Sequence, residues 1–129
     1  NVTDVGHVYL FDLSGESFHP IGQFQGDSKD DFSGGSISLS EDGSHVAIAA
    51  AFHDAPGGMR DVGQVKIYRF DSSAGEWAKV GSFIEGTAPG KQAGLTVALS
   101  FDGSRVAVSY PQSIMGIPAP GITKIYELQ

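Results

Sequence analysis

The chain has no cysteine, so disulfide staples, thiolate metal sites and thiol nucleophiles are all excluded. Basic residues are scarce: eight Lys and Arg stand against 15 Asp and Glu, for a formal charge of −7 and a pI near 4.8. A surface of that sign repels phosphate backbones and anionic headgroups, so nucleic acid is not an expected partner. Long hydrophobic runs are missing too. The longest, Val46 to Phe52, has seven residues, far below the ~20 that a membrane-spanning helix needs, and no membrane insertion is expected. The single asparagine, Asn1, opens the glycosylation sequon Asn1-Val2-Thr3. No signal-peptide pattern is present, and a chain that starts at Asn1 rather than Met is expected to be a processed or trimmed form.

Glycine is abundant. Eighteen Gly and six Pro punctuate short apolar runs, the pattern of an all-β chain with many tight turns. No segment carries a convincing 3.6-residue period, so almost no helix is expected.

The strongest internal signal is repetition. At an offset of 60, Leu39-Ser40 matches Leu99-Ser100, Asp42-Gly43-Ser44 matches Asp102-Gly103-Ser104, and Val46-Ala47 matches Val106-Ala107. Gly26 and Gly34 likewise match Gly86 and Gly94. Upstream, "DVGHVYLFDL" (4–13) faces "DVGQVKIYRF" (61–70) at an offset of 57, and "APGITKIYEL" (119–128) is a third copy. Each unit reads as four short strands. "GLTVALS" puts Leu95, Val97 and Leu99 on one face at the period of two that a strand imposes. "FDG" then turns the chain, with Gly103 free to take positive φ, and "SRVAVSY" returns antiparallel. "GQVKIYRF" and "WAKVGSFIEG" supply the third and fourth strands. Asp42 and Asp102 read as turn formers.

Head-to-tail units of four strands are the pattern of β-propeller blades, because one small twisted sheet cannot bury both faces and stacking buries each against the next. The phrases "DDFSGGSISLSEDGSHVAIAA" and "GQVKIYRFDSSAGEWAKVGSFIEG" resemble propeller repeats related to the FG-GAP, integrin-α-like type. That resemblance implies an all-β fold of four-stranded antiparallel blades but no single activity. Calcium-binding blades of this type carry an Asp-x-Asp/Asn-x-Asp-Gly loop. Here the turns read Ser40-Glu41-Asp42-Gly43 and Ser100-Phe101-Asp102-Gly103, with too few carboxylates to cage an ion.

The blades divide the chain into three parts. Residues 1–33 hold the last two strands of a first blade and a connecting loop, 34–86 a complete blade, and 87–129 a connecting loop and the first three strands of another. About two and a quarter blades fall short of the roughly four to eight that close a ring, so the expectation is a piece of a longer propeller rather than a subunit that closes a ring by assembly.

Long, unlike loops gather on one face of such a stack: Gly26–Gly35 and Gly86–Gly94, with Ala50–Gly63 and Tyr110–Gly121. Binding is expected there, since unlike loops on a constant scaffold carry recognition. The loop from Tyr110 is unusually apolar. Tyr110, Ile114, Met115, Ile117 and Pro118 form a candidate contact for a protein partner, a neighbouring blade or another subunit. Asp27, Asp30, Asp31, His53 and Asp54 form the competing candidate, a calcium or glycan site, in which clustered carboxylates offer hard oxygen ligands or grip hydroxyls. The four histidines, His7, His19, His45 and His53, show no zinc-ligand spacing. No Gly-x-Ser-x-Gly elbow, P-loop or dinucleotide fingerprint is present. The expected role is a non-catalytic structural or protein-interaction module with no cofactor, in an extracellular or organelle-lumen setting. The alternative is a lectin-like or calcium-dependent adhesive propeller.

Overall fold

The computed structural model describes residues 4–111, 113–114, 117–118 and 120–129, and among them every regular element is a strand. In chain order these are β1 (His7–Asp12), β2 (His19–Gln25), β3 (Ser36–Leu39), β4 (His45–Ala50), β5 (Gln64–Asp71), β6 (Glu76–Lys79), β7 (Ile84–Glu85), β8 (Val97–Leu99), β9 (Arg105–Tyr110), β10 (Ser113–Ile114), β11 (Ile117–Pro118) and β12 (Ile122–Glu127). All pairings are antiparallel. The first sheet is the hairpin β1–β2. The second has the order β3-β4-β5-β6, with β7 also on β5, and the third has the order β8-β9-β12.

Two elements differ from their sequence reading. "WAKVGSFIEG" is not one strand: β6 and β7 are separate, because Gly81 takes a φ of +64° and the backbone after Val80 leaves the ladder on β5 until Ile84. The loop after Tyr110 also holds a two-residue ribbon, β10–β11, with Ile114 opposite Ile117.

The hairpins arise from turn chemistry that recurs in detail. Gly43 N donates to Ser40 O at 2.9 Å, and Gly103 N to Ser100 O at 3.0 Å. Both glycines have positive φ, +72° and +70°, which no β-carbon obstructs. Phe70 N to Ser44 O and Leu128 N to Ser104 O are likewise both 2.8 Å.

Packing follows from strand alternation. β4 is apolar on both faces, so it must be covered twice. Val46 and Ile48 turn toward the first sheet, where Val8, Leu10 and Phe24 meet them beside Tyr68 and Trp77 of their own sheet. Ala47 and Ala49 turn the other way with Val65 and Ile67, against Val106, Val108 and Tyr110. Alanine lets the sheets approach closely. The approach is tight enough that a Cβ at Gly94 would come within 2.8 Å of the Ala49 Cβ.

The first strands of the second and third sheets are also joined by polar bonds. Val97 N donates to Ser36 Oγ at 3.1 Å and Leu99 N to Ser38 Oγ at 2.9 Å. An unpaired strand edge is costly and prone to mispairing. Here the serines of β3 satisfy the outer edge of β8.

Candidate functional site

The loops before β3 and before β5 lie together, and a buried polar cluster pins them. Asp30 and Phe32 both adopt left-handed backbone, φ +65° and +59°, and Gly35 N closes the turn on Phe32 O at 2.9 Å. Phe52 N donates to Asp31 O at 3.3 Å, which ties the two loops. The Asp31 side chain is thereby held inward, where both it and His53 are buried.

Asp31 Oδ2 and His53 Nδ1 are 2.8 Å apart. The Gln64 amide nitrogen lies 3.3 Å from His53 Nε2 and donates to Glu85 Oε1 at 2.7 Å. One assignment satisfies every group: Nδ1–H donates to the Asp31 carboxylate, and Nε2 accepts from Gln64. Both ring nitrogens are thus taken up by the protein's own residues. A histidine oriented by a carboxylate is half of a nucleophile-activating triad, but the third position belongs to an amide rather than a hydroxyl. The chemistry available is that of a clamp. It holds two loops, the start of β5 and β7 through charge-assisted bonds in a water-poor setting.

The candidate acids do not converge. Asp27 pairs with Lys66 Nζ at 2.6 Å, and that pair lines a crevice of only about 10 Å³ together with Asp31 and Gln64. Asp54 Oδ1 accepts from Asp61 N at 2.8 Å, and exposed Asp30 is held through its backbone N on Asp4 O at 3.2 Å. Among the described residues no group of three or more His, Asp or Glu is placed to hold a metal ion. Sequence reading grouped these acids by loop and missed Lys66, Gln64 and Glu85. Two of those sit on β5, and the third faces Gln64 through the β5–β7 register, which loop composition does not reveal.

The candidate contact loop divides differently. Tyr110 is a core residue rather than a presented one. Its ring packs with Val106 and Val108, and its hydroxyl lies 2.7 Å from that of Tyr126. Burial, reinforced by that hydroxyl, pushes its phenol above the usual tyrosine range. Met115 lies outside the described residues, as do the side chains of Ile114, Ile117 and Pro118.

The turn aspartates are anchored by serines. Asp42 Oδ1 accepts from Ser40 Oγ at 2.6 Å, Ser44 N at 2.9 Å and Ser44 Oγ at 2.7 Å. Asp102 Oδ1 accepts from Ser104 N and Ser100 Oγ, both at 2.9 Å. The Ser40 hydroxyl first, then Ser44, lowers Asp42 from 3.8 to about 2. Ser104 first, then Ser100, lowers Asp102 from 3.8 to about 2. A depressed folded-state pKa means that the contribution is complete above the unfolded value and is lost as pH falls from 3.8 through about 2. Wild-type stability is therefore expected to drop in that window in chemical denaturation at stepped pH. The double substitution Asp42→Asn and Asp102→Asn is expected to flatten the drop. An acid limb of unchanged slope in the double variant would show that these turns do not cause it.

No family model and no curated protein matches the chain. No helix among the described residues is long and apolar enough to cross a membrane.

Proposed function

We propose that the chain is a run of β-propeller blades of the FG-GAP-like kind, acting as a non-catalytic structural or protein-interaction module in a larger assembly. One comparison carries the reading. Ile67 and Ile125 occupy the same place in the repeat; Ile67 is 3% exposed against the third sheet, whereas Ile125 is 70% exposed on that sheet's outer face. The opposite end matches this, with Tyr9 and Phe11 of β1 each about half exposed. A half-exposed apolar side chain is ordinary alone, but a set on both ends of one stack marks surfaces made for contact. Neighbouring sheets of the same kind would cover both ends and, continued, would close a ring that leaves little exposed edge.

The interaction reading is preferred to calcium or glycan binding because Asp27 and Asp31 are already engaged by Lys66 and His53. The apolar loop after Tyr110 is the proposed contact for a protein partner. Electron microscopy of the native particle containing this chain tests the proposal. Radial sheets around a central channel, about four to eight of them, are expected, and the melting temperature should ignore calcium chelation and free sugars. A particle without radial sheets would defeat the propeller reading. A melting shift with chelator or sugar would instead favour the ligand-binding alternative.

A further inference from the structure

Imidazole is the side chain whose charge ordinarily changes between about pH 5 and 8, and His53 carries one into the buried clamp. In the neutral form Nδ1 donates to Asp31 Oδ2 at 2.8 Å, and Nε2 accepts from the Gln64 amide at 3.3 Å. The same amide nitrogen donates to Glu85 Oε1 at 2.7 Å. That carboxylate oxygen already stands close to the ring, 3.7 Å from Nε2.

A proton on Nε2 reverses its role from acceptor to donor. Two N–H groups then face each other across 3.3 Å, and one of them must move. Glu85 lies within about 1 Å of hydrogen-bond reach of Nε2, and an ionised acceptor holds an imidazolium more strongly than an amide does. It sits on β7, a strand of two residues just after the break at Gly81. So short an element can shift without disturbing the rest of the sheet.

The charges on the surrounding elements leave this exchange open. On the loop before β3, Asp27 is bonded through both oxygens by Lys66 Nζ of β5, at 2.7 and 2.6 Å. Asp30 on that loop is exposed, and so is Asp54 beside His53, which accepts from the Asp61 amide. Lys91, after β7, comes close to Gly86 but makes no ion pair among the described residues. His53 is the one basic group there at ion-pair distance from Asp31 or from Glu85. Nor does the scaffold demand the cluster: the repeat elsewhere puts Lys91 at the place of Asp31, His7 and Ile122 at that of Gln64, and Gln25 at that of Glu85.

We propose that His53 is a proton switch: as pH falls from about 8 to about 5, Nε2 exchanges Gln64 for Glu85 and draws β7 toward the loops before β3 and β5. In neutral surroundings β7 reaches the ring through an intervening amide, and in mildly acidic ones through a direct ion pair. The loop face is thus held more firmly when acid. All four groups belong to the second sheet and its own loops, and nothing in the switch depends on a closed ring or on a partner.

NMR of the imidazole nitrogens, with amide hydrogen exchange across the same pH range, tests this on the whole chain. At the alkaline end Nδ1 should carry the proton and Nε2 none; at the acid end both should. The protection factor of the Gly86 amide, which donates to Gly63 O at 3.2 Å, should rise about threefold or more on acidification. Glu85→Gln keeps an acceptor but removes the charge. In that variant the His53 midpoint should fall by about half a pH unit or more and the Gly86 rise should vanish, while exposed His7 and His19 keep their midpoints. A thermal melt at the alkaline end reports that the variant is folded, and the turn aspartates discharge only below 3.8, outside the range used. An unchanged His53 midpoint in the variant, a proton on Nε2 at the alkaline end, or Gly86 protection indifferent to pH would overturn the proposal. So would an acid-form crystal structure in which Nε2 bonds the Gln64 oxygen and Glu85 has not moved.

Discussion

Gly63→Ala is expected to remove about 4 kcal/mol of stability or more, placing it among the few single changes that unfold a domain outright. Gly63 has a φ of +76°, and a methyl group there would overlap the backbone N and O of Ala93. Three segments meet at this point. Gly63 N donates to His53 O at 3.2 Å, Gly86 N to Gly63 O at 3.2 Å, and Ala93 N to Val62 O at 2.9 Å. None can retreat without breaking a backbone bond in a buried place. Gly57 supplies the control. It has a similar φ of +86° and open space around it, so Gly57→Ala should cost only the strain of a left-handed alanine, about 1–2 kcal/mol. Urea titrations of the two variants separate backbone strain from collision. Equal losses at both positions would show that close approach of the loops contributes nothing.

His53→Ala is expected to cost about 3–5 kcal/mol, because it strands the Asp31 carboxylate without its partner in a buried position. Asp31 is 3% exposed, and Nδ1 of His53 is its side-chain partner at 2.8 Å. Removing both partners should cost less than the sum of the two single changes, by about 1–3 kcal/mol, since the double variant leaves no orphaned charge. Strict additivity in a double-mutant cycle would mean that the two side chains act separately and that the loops are held by backbone bonds alone. Glu85→Gln keeps an acceptor for the Gln64 amide and should be far milder.

Much of this protein is legible locally. Alternation in "GQVKIYRF" announces β5, and Asp-Gly before Ser-x-Val announces both short hairpins, because turn φ values and side-chain period are properties of a few adjacent residues. The broken strand at Val80–Phe83 was not legible. Its residues suit a strand, and what interrupts them is the positive φ of one glycine in an apolar run. The candidate acids show the same limit from the other side. Asp27, Asp30, Asp31 and Asp54 look like one cluster by loop membership, yet Lys66, His53 and the Asp61 amide draw three of them to different partners. Which partner each one finds depends on the stacking of sheets far apart in sequence.

The tripeptide Lys-Ile-Tyr occurs twice, at 66–68 and at 124–126, and it marks what each level decides. Both copies become strands, with isoleucine on one face and tyrosine on the other, because backbone geometry reads only neighbours. The all-β class, the turns and the near absence of helix follow from rules of that kind. Burial does not. Ile67 is 3% exposed and Ile125 is 70% exposed, since one faces Val106 and Val108 on the third sheet and the other faces solvent. Hydrophobic free energy depends on the surface laid opposite a side chain, and three residues in a row carry no information about that surface.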